Sequence, residues 1–363
     1  MLKLTFFSML LVMGLYAKSP TLDDMIAQMI VIGFDGQKEG DKWVEQIAKD
    51  IKREKIGGIV INDKNIHNAS QIKKLSYYLK SQVNSTLPLF VIAEEEGGDN
   101  ALFSSQKGFK KIPSAKEMAE HKDIIVAQKI YQERSSELSE AGIGLNFGPV
   151  LDLQAQRAEV SLRSYAAYEE IIITYATLFI DALSDKGIVS VVKYFPMAGK
   201  NLEDNFSAET RVNTEWRFSQ LKPYYDLIAF KKVDAVLMSH ALIQDLDKEK
   251  PALFSSLIIE GLLRGKLHFE GVVFADNLRT DSISSGIDFK SRVIRSIQAG
   301  VDVLVFPNYF GDNASMPFTV NKMITEAIRS GELSKERIAH SYERIVKLKK
   351  KMSEKPKNSL LLK

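Results

Sequence analysis

Apolar and polar positions along this chain alternate in blocks rather than residue by residue. Short apolar or β-branched runs lie at Gln28–Phe34, Gly58–Asn62, Leu87–Ala93, Leu145–Leu153, Val189–Phe195, Ala235–His240, Val272–Phe274 and Val301–Phe306. Between most of them come longer stretches with helical spacing, among them Trp43–Glu54, Ala69–Val83, Ile124–Ala141, Tyr168–Lys186, Phe218–Phe230 and Phe254–Gly261, and Lys335–Lys351 closes the series. Short buried strands that alternate with helices predict parallel βα units. An open doubly wound sheet and a (β/α)8 barrel share that order. Eight such units at this length favour the barrel. Gly33-Phe34-Asp35-Gly36, after the first run, also lacks the GxGxxG spacing of a dinucleotide-binding turn. The expected fold is therefore of the α/β class, a single-domain (β/α)8 TIM barrel over residues 18–352.

The two ends of the chain read differently. Lys3 precedes an apolar run from Leu4 to Tyr16, and Ala17 then stands before Lys18-Ser19-Pro20. This has the order of a secretory signal peptide, residues 1–17, cut after Ala17. The alternative, an uncleaved membrane anchor, needs a longer apolar run. Export to the periplasm or the medium is expected, with no stable membrane span after signal removal. The Lys-rich tail, residues 353–363, has no packing periodicity and is expected to be disordered.

Composition narrows the chemistry. The 363 residues carry Lys+Arg 49 against Asp+Glu 46, a net charge of +3 with no large basic block, so no nucleic-acid partner is expected. With no cysteine there is no disulfide framework, thiolate metal site or cysteine nucleophile. The five histidines have no ligand spacing that would suggest zinc. A barrel places its chemistry just after the strands. There the sequence has Glu94-Glu95-Glu96, Asp152, Lys193, His240, Asp276 and Asn308. Such a set suits a polar, sugar-sized pocket, although strand ends that meet solvent are polar in any case. Phosphate binding is disfavoured, because Asp276-Asn277-Leu278 and Pro307-Asn308-Tyr309 make poor anion nests.

Several longer motifs occur in order. They are Gln28-Met29-Ile30-Val31-Ile32-Gly33-Phe34, Gly57-Gly58-Ile59-Val60, Glu96-Gly97-Gly98, the run Gly142–Asp152, Arg163-Ser164-Tyr165, Lys193-Tyr194-Phe195-Pro196 and the run Gly271–Leu278. Together they resemble the barrel of glycoside hydrolase family 3, in its single-barrel β-N-acetylhexosaminidase form, from about Leu22 to Lys347. The resemblance implies retaining hydrolysis, in which a carboxylate forms a glycosyl-enzyme that water then releases. Asp276 matches the family's nucleophile. From the residues alone, an Asp after a strand also reads as a helix N-cap. The matching sugar-binding positions are Glu94, Arg163, Lys193, Tyr194 and His240. No metal or organic cofactor is implied, because nucleophile and proton donor are both side chains.

The same resemblance marks where this chain departs. The family protonates the leaving group with an Asp-Ser-His motif after the fifth strand. Here the stretch reads Asp204-Asn205-Phe206, so Asp204 is kept and Phe206, which cannot carry a proton, takes the histidine's place. Tyr194 replaces a sugar-contacting His, Glu94 an Asp, Asp99 an Arg, and Met197-Ala198-Gly199 a Gly-His-Gly. The departures gather where the chemistry belongs. Two expectations follow: an exported glycosidase of N-acetylglucosamine-containing glycans such as peptidoglycan fragments, or a catalytically impaired relative that binds or scaffolds cell-wall glycan. In the first, Asp276 is the nucleophile and Asp204, or another acid of residues 200–209, is the proton donor.

Overall fold

The computed structural model describes residues 19–99, 101–153, 162–198, 211–212, 216–278, 287–307 and 316–353. The expected signal peptide, Asp204, Phe206, Asn308 and residues 354–363 lie outside the described residues.

Ten strands occur in chain order: β1 Ile30–Gly33, β2 Gly58–Val60, β3 Phe90–Ala93, β4 Leu145–Val150, β5 Val189–Phe195, β6 Arg211–Val212, β7 Ala235–Met238, β8 Leu242–Ile243, β9 Val272–Phe274 and β10 Leu304–Phe306. Eight of them form one parallel sheet in the order β10-β1-β2-β3-β4-β5-β7-β9. The ends of that order meet. The Asp302 amide donates to the Val273 carbonyl (2.8 Å) and the Ala275 amide to the Val303 carbonyl (2.8 Å), closing the sheet into a barrel. The strands are buried along their length, which is why they read as apolar runs with no alternation. The remaining pair, β6 and β8, is a separate two-stranded ladder in the loops after β5 and β7.

Helices surround the barrel: α1 Leu22–Gln28, α2 Lys42–Lys52, α3 Ala69–Ser81, α4 Ala115–His121, α5 Ile124–Glu140, α6 Glu169–Ser184, α7 Lys222–Ala229, α8 Phe289–Ala299, α9 Met316–Ser330 and α10 Lys335–Ser353. α1 and α4 were not expected. Each has seven residues, too few for a helical period to stand out, and each starts at a capping box, at Thr21 with Asp24 and at Ser114 with Glu117. Around the expected Phe254–Gly261 helix, the chain instead makes a short 3-10 turn at Ala252–Phe254 and a π-helix at Leu257–Lys266. α10 runs two residues past the helix end expected at Lys351, to Ser353. Among the described residues no helix is long and apolar enough to cross a membrane.

Aromatic rings fill the barrel. Phe274 of β9 lies 6.0 Å from Phe90 of β3 and 5.7 Å from Phe147 of β4, centroid to centroid, so the middle is packed core. Below them, at the N-terminal ends of the strands, Lys349 of α10 enters the floor. Its Nζ sits 4.4 Å over the Phe90 ring and donates to Gln28 Oε1 (2.7 Å) and the Gly57 carbonyl (2.6 Å). With floor and middle filled, the C-terminal ends of the strands are left to hold a ligand.

Candidate active site

The mouth of the barrel is built first by the chain leaving β3. In extended chain, alternate side chains face the same way, so Glu94 and Glu96 share one face and Glu95 the other. Glu95 is fully buried and accepts from the amides of Gly97 (3.0 Å) and Phe103 (2.8 Å), which ties down the following loop. Burial pushes its carboxyl up, against the pull of Arg134 and those two amides. The chain then turns away through two left-handed residues, Gly97 (φ +85) and Gly98 (φ +74). A Cβ on Gly97 would stand 2.5 Å from the Pro113 carbonyl oxygen, so the turn requires glycine.

Glu94 and Glu96 meet two cations from neighbouring strands. Arg163, in the loop after β4, grips Glu96 with two bonds, Nε to Oε2 (2.9 Å) and Nη2 to Oε1 (2.7 Å), and also reaches Glu94 Oε1 (3.1 Å). Lys193, in β5, donates to Glu94 Oε1 (2.6 Å) and pairs with Glu96. Tyr194 accepts from Arg163 (3.0 Å) and donates to Glu94 Oε1 (3.3 Å). The Lys193 side chain is fully buried, whereas half of the Glu94 side chain is exposed. Burial alone would raise the Glu96 carboxyl, but Lys193 and Arg163 outweigh it and hold it below the usual carboxylate range. Burial pushes Tyr194 well above the usual phenol range, helped by the Glu94 and Asp276 charges. Among the described residues no group of three His, Asp or Glu side chains is placed to hold a metal ion.

Asp276 stands directly after β9, at the same end of the barrel. Its Oδ1 accepts from the Asn277 amide (2.7 Å), and its Oδ2 lies 3.4 Å from His240 Nε2. Burial would raise this carboxyl, yet His240, the Asn277 amide and Lys193 together bring it below the usual carboxylate value. It is thus an ionised carboxylate with a fifth of its side chain exposed, at the rim of a cationic and hydroxyl-bearing wall. That is what a nucleophile needs: charge without full solvation.

Asp152, after β4, faces inward beneath this wall. Its Oδ2 accepts from the Ala198 amide (2.6 Å), and its own carbonyl accepts from Ser164 (2.7 Å). It therefore ties the Arg163 loop to the start of the loop after β5. Burial pushes its carboxyl up to about 7.

Of the residues singled out from sequence, Glu94, Arg163, Lys193 and Tyr194 form one contact cluster, and Asp276 and His240 form a second beside it. His240 is not on the polar wall; it is buried against the carboxylate of Asp276. Asp204 lies outside the described residues. Sequence reasoning named Glu96 at a strand end and in a motif but gave it no role in the site, where it anchors both cations. The signal was available, because two-residue alternation puts Glu96 on the face of Glu94.

The comparisons with known proteins agree with this architecture. The model of the glycosyl hydrolase family 3 N-terminal domain matches residues 21–348. A β-hexosaminidase of Tolumonas auensis is 30% identical over 258 residues, which are 70% of this chain and 76% of that protein. A β-hexosaminidase of Haemophilus influenzae is 27% identical over 286 residues, 77% of this chain and 79% of that protein. Among solved structures, a family 3 β-N-acetylglucosaminidase from a Paenibacillus species superposes with a TM-score of 0.82 at 28% identity. That match covers 92% of this chain, which spans only 63% of the Paenibacillus protein. The match of nearly the whole chain to one family model, on a closed parallel barrel with its polar cluster at the strands' C-terminal ends, shows that this chain belongs to glycosyl hydrolase family 3.

Proposed function

We propose that the protein is a retaining glycosidase of the β-N-acetylhexosaminidase type, exported from the cytoplasm and acting on N-acetylglucosamine-containing glycans such as peptidoglycan fragments. The observation that carries this reading is Asp276. Its carboxylate is kept ionised in a largely enclosed position, beside the cluster of Glu94, Glu96, Arg163, Lys193 and Tyr194. The names of the β-hexosaminidase relatives support the substrate class.

In the proposed reaction an oxygen of Asp276 bonds to the anomeric carbon as the bond from that carbon to the leaving oxygen breaks. The leaving oxygen keeps the electron pair and takes a proton from an acid of residues 200–209, with Asp204 the first candidate. Water then adds to the anomeric carbon, returns a proton to that acid and frees Asp276. Glu94, Arg163, Lys193 and Tyr194 hold the sugar hydroxyls.

Phe206 favours a second reading, a glycan-binding protein that has lost acid assistance. A positioned acid contributes typically 10²–10⁴-fold, so its loss weighs most on poor leaving groups. Wild type and Asp276→Asn are to be assayed on an aryl β-N-acetylglucosaminide and on a natural disaccharide. Aryl cleavage that Asp276→Asn abolishes supports the enzyme. Sugar binding with no cleavage of either substrate supports the binding protein. Export is checked by sequencing the N-terminus of protein from its own cells: Lys18 is the expected first residue, and an intact Met1 with the protein in the cytoplasm overturns it.

A further inference from the structure

His240 is a buried titratable side chain of the site for which the reaction above has no task. It follows β7, and neither of its ring nitrogens has a hydrogen-bond partner among the described residues. Buried polar groups are nearly always paired. The adjacent Ser239 hydroxyl does not serve it as an acceptor; it accepts from the Ala241 amide (2.9 Å). Among the described residues, the charged group paired with it is Asp276, with 3.4 Å between Nε2 and Oδ2. That separation is longer than a closed hydrogen bond. Contacts of this kind are often long in the free enzyme and tighten in the complex.

The position rules out one role and suits another. The proton donor of a retaining glycosidase stands across the scissile bond from the nucleophile, about 5–5.5 Å away in a two-carboxyl pair. His240 is buried against the nucleophile itself and does not substitute for the histidine that Phe206 replaces. What it can do is fix the carboxylate. Among the described residues the Asn277 amide makes the one closed hydrogen bond to the carboxylate, at Oδ1, and one such bond does not by itself set the rotation about the Cβ–Cγ bond. A second contact at Oδ2 sets the plane.

We propose that His240 is a positioning residue for Asp276, its Nε2–H closing onto Oδ2 when the sugar enters and holding the carboxylate in the orientation that attacks the anomeric carbon. An N–H donor suits both stages, since a hydrogen bond to Oδ2 survives when the carboxylate becomes an ester and loses its charge. Lys193, the cation from β5 that also bears on Asp276, loses most of its attraction at that step. The inference rests on the reading of Asp276 as nucleophile.

The test uses a 5-fluoro N-acetylglucosaminyl fluoride. Its fluoride leaves without a proton, so the rate of covalent labelling, followed by the mass of the Asp276 peptide, reports the nucleophile and not the acid. Wild type, His240→Ala and His240→Gln are compared. Misplacing a reacting group by about 1 Å costs about 10²-fold, and a loss of that size is expected for His240→Ala with its melting temperature retained. His240→Gln, whose amide nitrogen reaches the same point, is expected to recover most of the rate. The acid limb of the labelling profile should also move to higher pH in His240→Ala, because burial of Asp276 is then less opposed. Labelling of His240→Ala at the wild-type rate overturns the proposal. So does an unmoved acid limb with His240→Gln as slow as His240→Ala, which would leave only a packing role. Failure of the wild type to label is a different result and removes Asp276 as nucleophile, and with it the ground for this proposal.

Discussion

The two ends of the barrel use the same ionic chemistry to opposite ends. Below the strands, Asp302 is fully buried and saturated. Its Oδ2 accepts from Arg264 (2.8 Å) and the Val273 amide (3.0 Å); its Oδ1 accepts from Ser341 (2.7 Å) and pairs with Arg344 (3.1 Å) and Arg337 (3.3 Å). One carboxylate thus fastens α10 to the start of β9, where the barrel closes. Above the strands, two carboxylates share two cations, and Glu94 takes Lys193, Arg163 and Tyr194 on a single oxygen while half of its side chain stays exposed. The lower cluster is closed by protein alone. The upper one leaves polar atoms exposed at the mouth of the barrel.

The contrast is open to direct attack, beginning with the largest effects. Asp276→Asn at the upper end should abolish glycosyl-enzyme formation with little change in folding. Asp302→Ala at the lower end should do the reverse. Breaking a buried ion cluster by removing one partner costs about 3–5 kcal/mol, and here three guanidiniums would lose their shared carboxylate. Urea unfolding is the measurement, and a loss under about 1 kcal/mol would show that the lower cluster is not what holds α10.

The pH dependence of stability separates the ends again. Burial raises Asp152, at the upper end, to about 7 from an ordinary 3.8. Between those values the folded state holds a proton that the unfolded state has released, so this group makes stability fall as pH rises from about 4 to 7. Burial lowers Lys349, at the floor, to about 7 from 10.5. Between 7 and 10.5 the unfolded state holds the extra proton, and stability rises with pH. Each group contributes at most about 1.4 kcal/mol per pH unit. Asp152→Asn should flatten the acid side of the profile and Lys349→Met the alkaline side, read as unfolding midpoints against pH. A profile unchanged by both substitutions would mean neither group is buried with its charge at stake.

The smallest effect is expected at Glu94. Glu94→Gln should cost less than about 1 kcal/mol of stability, as for other half-exposed ion pairs, yet raise KM by loosening the wall proposed to receive the sugar. A stability loss as large as that of Asp302→Ala would erase the distinction between the two ends.

Much of the scaffold was legible in the sequence, for a physical reason. Strands buried on both faces must be apolar throughout, and helices that cover a barrel must be apolar along one stripe, so the strand runs and the longer helices could be read in order. Short helices such as Leu22–Gln28 carry no visible period, and their caps are the only local sign. The site was legible in its residue types and in the matched motifs, less so in its wiring. Glu96 was hidden inside a motif that also reads as a turn, and His240 matched a position at the sugar.

The family resemblance singled out Asp276, and the sequence pattern by itself determined the parallel barrel and the end at which its polar residues gather. Those depend on burial and on the direction of parallel strands, which local pattern encodes. The tertiary structure alone decided that Arg163 and Lys193 are held by Glu96, that Glu95 faces away, and that His240 lies against Asp276. Glu96 meets Arg163 from 67 residues away, and no local pattern records which charge a side chain meets once the barrel has closed.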